Sequence, residues 1–155
     1  MNILDIMTNN PPSEEELNFY YEGTIPESAI VHEVNNHKIY LVYSPFYGRM
    51  YGMPVISCVK DKETGREIVV AGAMFNFMTK TTQKVLTDHE IGHIINGDLD
   101  EDRDIEREFK ADAYSASING KKAVIDALKE TLDLPFFIVS PQAVDEIKKR
   151  IKKLS

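Results

Sequence analysis

Two histidines four positions apart, His89 and His93, with Glu90 beside the first, constrain this chain more than any other feature. On an α-helix such residues lie on one face about one turn apart, so both imidazoles can aim at one point outside the helix. That point suits a divalent metal. Zinc accepts imidazole nitrogen at about 2.0 to 2.1 Å, and two rings on one rigid helix are placed before the ion arrives. Glu90 lies roughly 100° further round the helix than His89, flanking the ion where it can meet a metal-bound water. The stretch from Thr79 to Asp98 is therefore expected to be helical up to a turn at Asn96-Gly97.

A catalytic zinc takes three protein ligands and keeps one position open, where the pKa of a bound water falls from about 15.7 toward about 7. The third ligand should come from a separate element. A second helix is expected over residues 102–118, with Glu108 and Asp112 four apart on one face and Ile105, Phe109 and Ala116 on the adjacent apolar face. Residue types alone leave Asp104, Glu106, Glu108 and Asp112 open as that ligand. With only 4 histidines in 155 residues, the H-E-x-x-H spacing arises by chance in roughly one such chain in a hundred.

The pair His89-Glu90-Ile91-Gly92-His93 and Glu108-Phe109-Lys110-Ala111-Asp112 resembles the gluzincin zinc metallopeptidases, and most of all the CAAX-prenyl-protease-like family. The resemblance spans residues 79–116, about a quarter of the chain. It implies Glu108 as the third zinc ligand and Asp112 as the carboxylate that orients a ligand histidine. It also implies a sheet with an exposed edge to which an extended peptide substrate adds as a further strand, a general recognition mode. Many relatives carry transmembrane helices around the motif. This chain has no apolar run approaching that length, so small soluble gluzincins are the nearer comparison.

Composition narrows the setting. The length suits one domain with a single core. The formal charge of −7 argues against nonspecific nucleic-acid binding. Cys58 is the only cysteine, so no intramolecular disulfide forms; it reads as a small buried core residue in a reducing compartment. The start, Met1-Asn2-Ile3-Leu4-Asp5, lacks the basic and apolar regions of a signal peptide, and a cytoplasmic location is expected.

Along the chain, Ser13-Glu14-Glu15-Glu16 has capping-box spacing and starts a helix to about Tyr21, with Leu17, Tyr20 and Tyr21 packing inward. Residues 29–34 and 38–43 form a hairpin across Asn35-Asn36, with His32 and His37 as ordinary strand histidines. Residues 44–54 read as an aromatic loop in which Tyr47 and Tyr51 pack over the sheet or, less simply, steady an oxyanion. A second hairpin follows, 55–60 with 67–73, extended or capped by Met74 to Phe77. The acidic run from Asp98 to Asp104 fails the EF-hand pattern, with Arg103 where glycine belongs, and reads as a solvated loop favouring the next helix N-terminus. Helices are expected at 121–132 and, after Ser140-Pro141, to the C-terminus; in the latter Val144, Ile147, Ile151 and Leu154 line one face while Lys148, Lys149, Arg150, Lys152 and Lys153 lie elsewhere.

The expected fold is α+β and zincin-like, a β-rich N-terminal half packed on the metal-binding helix and a helical C-terminal half supplying the third ligand. The expected function is a zinc metalloendopeptidase acting on a peptide or protein substrate. In it Zn2+ is held by His89, His93 and Glu108, Glu90 is the general base, and Asp112 fixes a histidine ring. The alternative is a zinc-stabilised interaction or regulatory protein without turnover, or a hydrolase of non-peptide amides. Substrate specificity and oligomeric state are not readable from the residues.

Overall fold

The computed structural model describes residues 11–99, 104–135 and 139–155. It is α+β, a four-stranded mixed sheet followed by a helical C-terminal half. Its residues divide into two compact units, Met1–Phe77 and Met78–Ser155, each taken in turn.

The first helix among the described residues of the first unit is α1, Glu14–Glu22. The capping box forms as expected: Ser13 Oγ accepts from Glu16 N at 3.2 Å and Glu16 Oε2 from Ser13 N at 3.1 Å, satisfying two amides that would otherwise lack a helical partner. The buried residue of α1 is Phe19, whereas Tyr21, expected to pack inward, is 70% exposed. Strands β1, Ile30–Val34, and β2, His37–Tyr43, pair as the expected hairpin. Asn35 and Asn36 both take positive φ, the geometry that lets a two-residue turn follow the strand twist.

Residues 45–50 correct the expected loop. They form helix α2, Pro45–Met50, with Ser44 accepting from Tyr47 N at 3.1 Å and Pro45 in the first turn. This is the same Ser-Pro start that marks the last helix, obscured in so short a segment by Gly48 within it and Gly52 just beyond. Tyr47 and Tyr51 pack ring to ring, 4.5 Å between centroids, and burial pushes the Tyr47 phenol up to about 12.

Strands β3, Ile56–Lys60, and β4, Glu67–Ala71, form the second hairpin. The two hairpins join through a parallel β2–β4 pair, giving the order β1-β2-β4-β3 and leaving β1 and β3 as edges. Central β4 is buried on both faces, so it reads as a continuous apolar run; Ile68 and Val70 meet Phe19 and Val42 in the core. Cys58 on β3, expected to be buried, is half-buried. Beyond β4 the chain turns into a 3-10 helix, Ala73–Phe77. Gly72 makes that turn possible, because a Cβ there would stand 2.4 Å from the Pro54 carbonyl oxygen.

The described residues of the second unit form four helices: α3, Lys80–Ile95; α4, Ile105–Asn119; α5, Lys121–Leu132; and α6, Pro141–Leu154. Side-chain caps set three starts, with Thr79, Asp104 and Ser140 accepting from the third residue on. Gly97 and Gly120, both at positive φ, follow the ends of α3 and α4. Asp104 confirms an acid at the α4 N-terminus; residues 100–103 of the acidic run, and the expected signal-peptide-free start at 1–5, lie outside the described residues. The core joins Val85 of α3 to Val124, Ala127 and Leu128 of α5 and Ile147 of α6. Among the described residues no helix is long and apolar enough to cross a membrane.

Candidate metal centre

Helix α3 presents His89 and His93 one turn apart with their rings crossed edge to face and their Nε2 atoms 3.1 Å apart. Glu108 reaches the same point from α4, its Oε2 3.3 Å from His89 Nε2 and 2.5 Å from His93 Nε2. Four ligands tetrahedrally placed at zinc bond lengths sit roughly 3.3 Å from one another. Two sides of this triangle match that spacing, and the third is drawn in by a charge-assisted hydrogen bond between His93 and Glu108.

What brings α4 so close is Gly92, between the two histidines. A Cβ at this position would lie 3.2 Å from Ala111 Cα and 3.1 Å from Tyr114 Cβ, so glycine is what allows the helices to approach at the level of Glu108.

Each ring is held from behind. His89 Nδ1 lies 2.8 Å from Asp112 Oδ1, and His93 Nδ1 lies 3.0 Å from Asp98 Oδ2. A neutral ring that donates from Nδ1 to a carboxylate keeps its Nε2 lone pair for a cation, so both carboxylates select the tautomer that ligates.

The protonation equilibria follow from this packing. Burial alone would make the His89 ring harder to protonate, but the bonds to Asp112 and Glu108 outweigh it and raise its pKa to about 9. His93 is likewise opposed by burial and raised by Glu108. Burial works against ionised Glu108, yet the two histidines hold it well below the usual carboxylate range. Asp112 is also held down, against burial, by Arg150 and His89.

Among the described residues His89, His93 and Glu108 are the group whose geometry could hold a metal ion. The donor set, two imidazole nitrogens and a carboxylate oxygen, fits a borderline divalent cation, but several first-row metals share that preference. Asp112 stands beside the group and is not part of it. Glu90 is half-buried on α3 one position beyond His89, also outside the ligand group, and its charge adds to the raised proton affinity of that ring.

Two contributors were not anticipated. Asp98, read as part of a solvated loop, is the partner of His93; its signal was its place just after the Asn96-Gly97 turn, where the chain folds back on the helix end. Arg150, read as lying off the apolar face of the last helix, is only 7% exposed and bonds both oxygens of Asp112. Its signal was its position three residues after Ile147, on the buried face, where a cation is tolerated only beside a carboxylate.

Comparison of the chain with protein-family models, with curated proteins and with solved structures gives no match.

Proposed function

We propose that the chain is a zinc metallopeptidase of the gluzincin type, with a zincin-like fold, acting on a peptide or protein substrate. The observation that carries this reading is the convergence of His89 Nε2, His93 Nε2 and Glu108 Oε2 with a carboxylate behind each ring. A structural zinc site usually closes with a fourth protein ligand. Among the described residues the group has three members, the number a hydrolytic site uses. Zinc, when bound, supplies Lewis acidity toward a scissile carbonyl and makes water a better nucleophile at neutral pH. Glu90, one residue beyond His89, takes the proton from the attacking water and returns it to the leaving amine. Asp98 and Asp112 hold the rings so that neither swings as charge develops.

The test combines metal analysis with Glu90→Gln and cleavage profiling on a peptide library. Zinc at about one equivalent per chain is expected in both proteins, with cleavage in the parent alone. Equal cleavage by the variant removes Glu90 as the base. Zinc uptake without cleavage of any library member favours the non-catalytic, zinc-stabilised alternative.

A further inference from the structure

We propose that Arg150 is a positioning residue of the metal centre, through which docking of the C-terminal helix α6 and metal binding strengthen one another. The proposal rests on the zinc-site reading above.

Arg150 approaches Asp112 with two donors, Nε to Oδ2 at 2.8 Å and Nη2 to Oδ1 at 2.8 Å. This fork fixes the plane of the carboxylate as well as its distance. Oδ1 is also the atom that receives His89 Nδ1, so the orientation of the ligand ring is set from α6, through α4, to α3. Asp112 is 1% exposed and Arg150 7%, leaving little solvent to replace a lost partner. Without the fork Asp112 keeps only the histidine, which can no longer rely on a fixed acceptor. The shape of the donor matters as much as its charge, because lysine carries the same charge on a flexible stem that cannot make two parallel bonds.

Removing such an outer partner typically costs about 10- to 100-fold in metal affinity. Linkage then requires the reverse effect: if docked α6 strengthens zinc binding by that factor, zinc strengthens α6 docking by the same factor.

The test measures zinc affinity by competition with a chromophoric chelator in the wild-type chain, Arg150→Lys, Arg150→Met and Ile147→Ala. The measurement is made at a temperature where circular dichroism shows each protein folded. Ile147 is a buried contact of α6 outside the network, so its variant controls for weaker packing alone. Both Arg150 variants are expected to lose about 10- to 100-fold while Ile147→Ala stays within about twofold. Affinity retained in Arg150→Lys, or an equal loss in Ile147→Ala, overturns the proposal. If the Arg150 variants do not fold, hydrogen exchange in the wild type decides. Zinc should slow exchange at Arg150 Nε–H and the α6 amides beyond its effect on α5, and equal slowing in both helices overturns the coupling. A wild type that takes up no zinc defeats the metallopeptidase reading itself, whereas zinc binding unaffected by Arg150 defeats only this inference.

Discussion

Gly92→Ala tests the packing on which the site depends. In an exposed helix this change stabilises by about 1 kcal/mol, because alanine restricts the unfolded chain and glycine does not. At position 92 the new methyl carbon would stand 3.1 Å from Tyr114 Cβ and 3.2 Å from Ala111 Cα. Ordinary contacts begin near 3.4 Å, so α4 must retreat by a few tenths of an ångström. The Tyr114 ring can yield by rotation, but Tyr114 Cβ and Ala111 Cα are fixed by the α4 backbone and yield only if the helix moves. Overpacking of this kind costs about 1 to 3 kcal/mol, which cancels or exceeds the propensity gain and predicts a net change between zero and about 2 kcal/mol destabilising. Glu108 lies one turn before Ala111 and moves with it, whereas a metal site tolerates about 0.2 Å. Zinc affinity should therefore fall by about tenfold or more, by analogy with displaced outer partners. Chemical denaturation of the metal-free protein and chelator competition separate the two effects. A variant stabilised by the full helix-propensity gain, with zinc affinity intact, would refute the claim that glycine sets the helix spacing.

Other expectations follow from the same contacts. His89→Ala and Glu108→Ala should each abolish stoichiometric zinc uptake, checked by metal analysis after dialysis; full retention by Glu108→Ala would return the third-ligand role to another acid of α4. Asp98→Ala should weaken zinc by about 10- to 100-fold without abolishing it, measured by the same competition assay. Asp104→Ala removes the α4 cap and should destabilise by about 1 kcal/mol in urea denaturation. In the metal-free protein His89 has its folded pKa raised from 6.5 to about 9. Its stabilising contribution is thus complete below pH 6.5 and lost as pH rises through about 9, which denaturation midpoints across that window will follow. Zinc affinity should move the opposite way, rising over the same window as the competing proton leaves.

Local signals were legible and long-range ones were not. Ser13 with Glu16, Asn35-Asn36 and Ser140-Pro141 each declare their structure within a few residues, and the structure uses all three as expected. The parallel pairing of β2 with β4 joins residues 39–43 to 67–71, and nothing in the alternation of either strand specifies which neighbour it takes. Helix α2 was hidden for another reason. Its six residues include Pro45 and Gly48, which taken singly argue for a loop, and only the cap at Ser44 argues otherwise. For the site, His89 and His93 share one helix and their convergence follows from its pitch. Asp112 and Glu108 were found through a second motif, but Arg150 is 38 residues from Asp112, and no periodicity in α6 points to that carboxylate.

Charge explains why these side chains occur together. Three carboxylates, Asp98, Glu108 and Asp112, surround the two rings, and Arg150 is the cation bonded directly among them. With neutral histidines the cluster carries a surplus of negative charge in a largely dry setting, to which half-buried Glu90 adds and which the more exposed Arg107 beside Asp98 partly offsets. Such a surplus is costly to bury and must be matched by bound cations or protons. In the metal-free chain protons on the rings answer that surplus, which is why both histidines hold them more tightly despite burial. A divalent ion meets it with one particle in place of two, and frees both Nε2 lone pairs to bind it. Arg150 lowers the surplus by one: without it the excess would be larger, favouring retention of a proton on the ring beside Asp112. The buried arginine and the two histidines are therefore parts of one balance, in which a bound cation can stand in for protons.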